Sequence, residues 1–248
     1  MNLNFSDRQA VVTGGTRGIG AAIARELLSS GCRVVATGTD SRRLTELQTV
    51  ANQERLSIRY EELNLAEDRS VNQFLKRIAS ERIDILINSA GINRIGPVSD
   101  LKIEDWDEIQ RVNVRGPLLL CRALCPSMAN RKYGRVLNVT SIFGVVTKEQ
   151  RAAYSTSKFA LLGLTKTLAV EMAKENVLVN ALAPGFIDTE LTRSILTEEQ
   201  RRDLAEQTPM KRMGNPDEIA KLAVFLCSES NSFMTGQQIV ADGGFVSV

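Results

Sequence analysis

The chain has 248 residues, 43% of them hydrophobic and 24% charged. This length and composition are typical of one α/β domain and exclude disordered, collagen-like and fibrous proteins. The net charge is +2, with basic and acidic residues interspersed, so we expect a small-molecule partner and no nucleic-acid or membrane binding. Apolar runs fall short of the roughly 20 residues of a membrane span, and the first strand begins too early for a targeting peptide, which predicts a cytoplasmic protein.

The chain contains no histidine, and this narrows the chemistry available to it. A Cys–His nucleophile pair, a Ser-His-Asp triad and the usual zinc sites are all excluded. The four cysteines include no C-x-x-C spacing, so no metal site is expected, and Cys121 and Cys125 are interpreted as small buried apolar residues. Acid/base catalysis must therefore rely on Tyr, Lys, Asp or Glu.

Short β-branched runs alternate with longer amphipathic stretches along the chain, a pattern typical of βαβ units in a parallel sheet. Seven strands are predicted over residues 9–13, 33–37, 57–63, 83–88, 134–140, 177–183 and 238–240. Six helices are predicted over 18–30, 41–53, 67–80, 104–130, 152–175 and 216–228. We therefore expect one Rossmann-type, doubly wound α/β domain, whose ligands bind beyond the carboxyl ends of the strands. Residues 185–214 show no clear element, and a substrate lid is predicted at about 186–214.

A glycine-rich segment follows the first strand and leads into the first helix; it reads Gly14-Gly15-Thr16-Arg17-Gly18-Ile19-Gly20. Glycines permit a tight turn, and the start of the helix presents free N–H groups to a diphosphate. An ordinary glycine-rich turn is the alternative interpretation. The position of the segment between a strand and a helix favours dinucleotide binding.

The end of the second strand bears on the choice of cofactor. Gly38 stands where an acidic residue would bind the ribose hydroxyls of NAD, and Arg17, Thr39 and Arg42 could surround a 2′-phosphate. This favours NADP, with NAD as the alternative. Asp40 could either cap the following helix or reach the ribose.

Tyr154 and Lys158 lie four residues apart and therefore on one face of a predicted helix. The ammonium group should favour the phenolate, so we expect the pKa of Tyr154 to fall below its usual value of about 10. Ser141 follows a predicted strand, where its hydroxyl could hydrogen-bond a substrate oxygen. These residues predict proton transfer to a carbonyl or from an alcohol.

Further motifs are spread along the chain: Asn88-Ser89-Ala90-Gly91, Asn113, Asn180, Pro184-Gly185 and Asp242-Gly243-Gly244. With the glycine segment and the Tyr154–Lys158 pair, they make the sequence resemble the short-chain dehydrogenase/reductase family over essentially its whole length. The resemblance implies a catalytic tetrad of Asn113, Ser141, Tyr154 and Lys158. In that tetrad Ser141 orients the oxygen, Tyr154 transfers the proton, Lys158 binds the nicotinamide ribose and lowers the tyrosine pKa, and Asn113 supports a water path to Lys158.

The same resemblance implies the remaining cofactor contacts. Those near the adenosine are Asn64, Leu65, Asn88, Ala90 and Gly91, and those near the nicotinamide are Tyr154, Lys158, Pro184, Gly185, Ile187 and Thr189. Asn64 departs from the aspartate that is usual in the family, and Ser89 from the commoner asparagine.

These motifs do not identify the substrate. We expect substrate specificity to be determined by three loops, at residues 92–99, 142–153 and 186–209. Arg94, Lys148, Arg151 and Arg193 could attract an anionic substrate or could simply be solvated charges. The chain resembles the 3-oxoacyl-(acyl carrier protein) reductase branch, which implies reduction of a 3-oxoacyl thioester or similar ketone. It departs from that branch at Gly96-Pro97-Val98 and at two positions that are expected to dock the carrier protein: Glu175 replaces a basic residue, and Lys132 stands in place of arginine.

Two other functions stay open: a dehydrogenase of a sugar acid, polyol or other secondary alcohol, and a cofactor-binding regulator without turnover. The family resemblance also implies a homo-oligomer, a dimer or tetramer, built across the helices predicted at 104–130 and 152–175. The apolar stripes of these helices could equally face the chain's own sheet. They include Leu118, Leu119, Leu161 and Leu168.

Overall fold

A seven-stranded sheet forms the centre of the protein, which the computed structural model describes over residues 3–248. The strands are β1 (Gln9–Thr13), β2 (Arg33–Gly38), β3 (Ile58–Glu62), β4 (Ile85–Asn88), β5 (Gly134–Val139), β6 (Val177–Pro184) and β7 (Gln238–Ala241). All neighbours pair in parallel, in the order β3-β2-β1-β4-β5-β6-β7. The predicted doubly wound sheet is thereby confirmed.

Helices cover both faces of the sheet. They are α1 (Gly18–Ser29), α2 (Ser41–Gln53), α3 (Asp68–Arg77), α4 (Ile103–Gln110), α5 (Gly116–Asn130), α6 (Ala152–Met172), α7 (Glu190–Ile195), α8 (Glu198–Gln207) and α9 (Pro216–Cys227). Ala10 and Val12 of β1 pack into the core that α1 and α9 cover, whereas Val11 packs into the core under α3 and α5. Successive side chains point to opposite faces, so a strand covered on both faces is buried throughout and mainly apolar.

Two predictions about helices were wrong. The single helix predicted at 104–130 consists of α4 and α5, joined by a π-helical turn at Arg111–Arg115. The segment 185–214 contains α7 and α8, which no apolar period revealed because neither helix has a buried residue. A capping box formed by Thr197 and Gln200 starts α8 and was the available signal.

The carboxyl ends of the strands bring distant segments together between β1 and β4, where the strand order reverses. Thr13 at the end of β1 is paired with Asn88 at the end of β4. The Thr13 hydroxyl also accepts hydrogen bonds from the backbone N–H groups of Ser89 and Ala90, both at 3.0 Å. The crevice at such a reversal is where open α/β sheets bind ligands.

In residues 3–248, every helix is too short or too polar to cross a bilayer.

Candidate active site

A cleft of about 720 Å³ opens at this edge of the sheet. It runs from the turns that follow β1, β2 and β3, past the start of α6, to the segment that carries α7 and α8. Eighteen of the residues predicted from the sequence line it: Gly14, Thr16, Arg17, Gly18, Ile19, Gly20, Thr39, Asn64, Leu65, Ala90, Gly91, Ser141, Tyr154, Lys158, Pro184, Gly185, Ile187 and Thr189. Arg42, Asn88 and Asn113 are outside the lining.

The glycine segment forms a cradle that side chains would fill. Gly14 has φ +64°, and a Cβ on it would lie 2.9 Å from the Ala90 Cα atom. A Cβ on Gly20 would lie 2.2 Å from the Gly14 carbonyl oxygen. The N-cap residue Arg17 makes no side-chain hydrogen bond to α1, and the first turn of α1 carries no acidic residue. The N-terminus of α1 is therefore open to an anion, and these residues fit a dinucleotide diphosphate.

The adenosine end of the cleft differs from the sequence prediction at one arginine. Arg43 lines the cleft and Arg42 does not, because successive residues of a helix point about 100° apart and α2 begins at Ser41. The Asp40 carboxylate accepts a hydrogen bond from the Arg43 backbone N–H at 3.1 Å, so Asp40 caps α2. Within the described chain neither Arg17 nor Arg43 forms an ion pair, which leaves two positive charges for a phosphate.

Ser141, Tyr154 and Lys158 converge in the middle of the cleft. Ser141 follows β5, and its hydroxyl accepts a hydrogen bond from the Phe143 backbone N–H at 3.1 Å. Tyr154 and Lys158 lie in the first turns of α6, with the Lys158 Nζ 5.4 Å from the centroid of the Tyr154 ring. Nζ also donates to the Val139 carbonyl oxygen at 3.0 Å. The ends of β5 and α6 thus place a hydroxyl, a phenol and an ammonium group together.

Burial determines the pKa values of this group. It raises the pKa of Tyr154 above its usual value, while hydrogen bonding to Ser141 and the charge of Arg151 partly offset the rise. The expected fall in the Tyr154 pKa was therefore wrong, because enclosure of the phenol outweighs the nearby positive charges. Burial also lowers the pKa of Lys158 from 10.5 to about 8. At neutral pH the phenol holds its proton, the form that can donate to a carbonyl oxygen.

Asn113 lies behind the cleft, in the π-helical turn. Its Oδ1 accepts from the Ile92 backbone N–H at 2.9 Å, and its Nδ2 donates to the Ile92 carbonyl oxygen at 2.9 Å and to the Ser157 hydroxyl at 3.0 Å. Asn113 thus ties the loop after β4 to α6. A π-helical turn inserted in an α-helix is often found at functional sites; here it carries Asn113 into the buried layer beneath Gly91. The water path to Lys158 stays a prediction.

Asn88 also lies beneath the cleft rather than in its wall. Its Nδ2 donates to the Asn138 Oδ1 at 2.8 Å, and Asn138 in turn donates to the Thr165 hydroxyl at 2.8 Å. This buried chain of amides links β4 and β5 to α6 and so supports the helix that carries Tyr154. Direct contact of Asn88 with a cofactor stays a prediction.

Of the four candidate basic residues, two lie free in the cleft. Arg94 pairs with Glu108 at 3.0 Å and Arg193 with Asp188 at 3.1 Å. Lys148 and Arg151 line the cleft, and neither has an ion-pair partner within residues 3–248. The sequence could not show which of the four residues are paired, because an ion pair depends on which segments meet in the fold.

Several residues of the lining were not foreseen. The rings of Phe143 and Tyr154 meet edge to face at 6.4 Å, and those of Phe143 and Phe186 at 6.2 Å. Apolar side chains of α7, α8 and their connection complete this wall: Leu191, Ile195, Leu196 and Leu204. The loops that carry these residues, 142–153 and 186–209, were predicted to contact the substrate, but the sequence did not single out the individual side chains.

The dinucleotide cradle and the Ser141–Tyr154–Lys158 group, joined at the reversal of a parallel sheet, define a nicotinamide-dependent oxidoreductase. The chain belongs to the short-chain dehydrogenase/reductase family, and its residues 14–246 match the family model described as enoyl-(acyl carrier protein) reductase. The predicted family is thereby confirmed.

Two relatives and one solved structure are similar to the chain over nearly its whole length. The chain is 39% identical to the 3-oxoacyl-(acyl-carrier-protein) reductase of Aquifex aeolicus, over 98% of this chain and 99% of that protein. It is 34% identical to the Escherichia coli protein of the same name, over 99% and 100%. Its structure resembles a gluconate 5-dehydrogenase from Burkholderia cenocepacia, solved in complex with NADP and tartrate, with a TM-score of 0.93, 30% identity and coverage of 100% and 98%.

Proposed function

We propose that the protein reduces a ketone to a secondary alcohol with NADPH, and that a 3-oxoacyl thioester is the leading substrate class. The observation that carries the proposal is the placement of Tyr154 beside Ser141 and Lys158, at the inner end of a dinucleotide cradle. The 3-oxoacyl reductases among the relatives support the substrate class.

The reaction needs a proton at the carbonyl oxygen while the carbonyl carbon is reduced. NADPH, when bound, supplies the hydride. The hydroxyls of Ser141 and Tyr154 bind the carbonyl oxygen, and Tyr154 transfers its proton to that oxygen as negative charge develops there. Lys158, held by the Val139 carbonyl, stabilises the resulting phenolate as long as its amine is protonated.

The selectivity for NADPH over NADH would come from the end of the cleft near β2. Gly38 offers no carboxylate, and a Cβ on it would lie 2.7 Å from Thr16 Cγ2. Arg17 and Arg43 supply the positive charge for a 2′-phosphate, and the NADP in the Burkholderia structure supports this choice.

We assign residues 186–214 as a lid. The backbone anchors its two ends, because Asp188 donates to the Gly214 carbonyl and Gly214 to the Phe186 carbonyl, both at 2.9 Å. Between these anchors, α7 and α8 turn Leu191, Ile195 and Leu204 toward the cleft. An apolar chain bound there would exclude water from Tyr154 as the lid closes.

The test is NADPH oxidation, followed by absorbance, with S-acetoacetyl-N-acetylcysteamine and simple ketones. Tyr154→Phe should lower kcat by at least about a hundredfold and should still bind NADPH. Unchanged turnover in this variant would refute the role of Tyr154. NADPH binding without turnover of any carbonyl or alcohol would instead favour the cofactor-binding regulator.

A second candidate is oxidation of a hydroxy acid such as a sugar acid. Lys132 and Glu175, at the positions expected to dock a carrier protein, pair with each other, which removes positive charge from that surface. The similarity to a gluconate 5-dehydrogenase points the same way. Reduction of NADP⁺ by gluconate, set against NADPH oxidation by the thioester, separates the two candidates.

We also propose a homo-oligomer built on α5 and α6. Leu161 and Leu168 face the chain's own core, but Leu118 is 46% exposed, Phe159 46% and Val170 80%. Light scattering after size exclusion would measure the mass, and Val170→Asp should reduce it by burying a charge at the interface.

A further inference from the structure

Arg151 is a buried arginine whose charge has no counterpart among residues 3–248. It precedes α6, three residues before Tyr154, and it is only 9% exposed although it lines the cleft. Its guanidinium carbon lies 5.4 Å from the centroid of the Phe143 ring, which in turn meets the Tyr154 ring edge to face. Nε is buried and finds no hydrogen-bond partner anywhere in residues 3–248.

Arg135 shows how this chain satisfies an arginine that serves structure alone. Arg135 is 4% exposed, and its guanidinium donates to four backbone carbonyl oxygens, those of Gly134, Asn176, Ser228 and Asn231. Within the part of the chain that the structure describes, the Arg151 guanidinium has no such set of acceptors. The comparison indicates that the partner of Arg151 is outside the protein, because an unpaired buried charge is costly.

The charges around Arg151 leave its surroundings positive. Lys148, three residues earlier in the chain, also lines the cleft and has no ion-pair partner in the described chain. The acidic residues of the cleft lining are Asp40, Glu108 and Glu190; Glu108 is already paired with Arg94, and none of the three forms an ion pair with Arg151 in residues 3–248. Burial lowers the pKa of the Arg151 guanidinium from its usual value, and Tyr154 is the one group that opposes this effect. No carboxylate of the described chain therefore neutralises Arg151.

We propose that Arg151 binds a carboxylate of the substrate, next to the carbonyl that Tyr154 protonates. The inference rests on the proposed oxidoreduction and, between its two candidate substrate classes, favours an oxo acid or hydroxy acid with a free carboxylate over the thioester. A guanidinium binds a carboxylate through two parallel hydrogen bonds, which would also orient the carbonyl. A thioester carbonyl is neutral and would leave the charge uncompensated. The phosphate of a phosphopantetheine thioester is held away from Tyr154 by the length of the arm.

The experiment compares charged and neutral substrates of the same skeleton. The probes are pyruvate, acetoacetate and levulinate, each beside its ethyl ester, tested for NADPH oxidation and, by calorimetry, for binding to the NADP⁺-loaded protein. Arg151→Gln should lower kcat/KM for the best acid by at least about a hundredfold, and for its ester by less than about threefold. Arg151→Lys should retain part of the activity on the acid. Arg122→Gln is the control, because it removes an exposed charge on α5 outside the cleft. It should change kcat/KM for neither the acid nor the ester.

Each alternative result has a definite meaning. Equal losses for acid and ester in a folded Arg151→Gln variant would make Arg151 a structural residue and overturn the proposal. Failure of the wild type to prefer any acid over its ester, in turnover and in binding, would also overturn it. If no carbonyl oxidises NADPH, the proposed function fails, yet calorimetry still tests Arg151: acid binding that Arg151→Gln abolishes would support the carboxylate site.

Discussion

The buried ammonium of Lys158 should make the stability of the protein depend on pH in a defined direction. Its pKa is about 8 in the folded protein and 10.5 without burial. Below pH 8 both folded and unfolded chains carry the charge, and the folded chain bears the full cost of burying it. Between these values the folded chain has lost the proton while the unfolded chain retains it, so the free energy of unfolding rises with pH. At 1.36 kcal/mol per pH unit, the rise from pH 8 to 9.5 is about 2 kcal/mol.

Lys158→Met removes this contribution, so the stability of the wild type relative to the variant should increase by about 2 kcal/mol over that interval. Urea unfolding at pH 7, 8 and 9.5, without cofactor, measures it. Other titrating groups are common to both proteins and cancel in the difference. Lys166→Met, which removes an exposed lysine from the same helix, should keep the wild-type pH dependence. A difference between wild type and Lys158→Met that stays constant with pH would refute the reasoning.

Three further substitutions test the cofactor end of the cleft. Arg43→Ala should raise the KM for NADPH by about tenfold and leave the KM for NADH nearly unchanged. Arg42→Ala is the matched control and should change neither KM. Equal increases in the KM for NADPH in the two variants would contradict the orientation of α2. A Cβ on Gly91 would lie 3.5 Å from the Lys158 Nζ, an ordinary contact, so Gly91→Ala should weaken NADPH binding measured by fluorescence titration without lowering Tm. Gly96→Ala, where a Cβ meets nothing within 4 Å, should change neither property. Gly20→Ala should cost at least about 2 kcal/mol in urea unfolding, since backbone must move; wild-type stability would disprove the tight packing of the loop.

The sequence alone was enough to predict the strands, the glycine cradle and the pairing of Tyr154 with Lys158. A strand covered on both faces is apolar at most of its positions, so β1, β4 and β5 can be predicted without knowledge of their neighbours. Tyr154 and Lys158 are likewise local, since a spacing of four on a helix brings side chains to one face.

Only the tertiary structure decided how those groups behave. Arg43 rather than Arg42 faces the cleft because the start of α2 sets the helical phase, and α7 and α8 were hidden because they cover a cleft instead of packing into a core. Whether the pKa of Tyr154 is raised or lowered depends on how completely other segments enclose the phenol. Arg151 shows the same limit: its type and position are visible in the sequence, but the absence of a carboxylate partner among residues 3–248 appears only when the segments of the fold are in place.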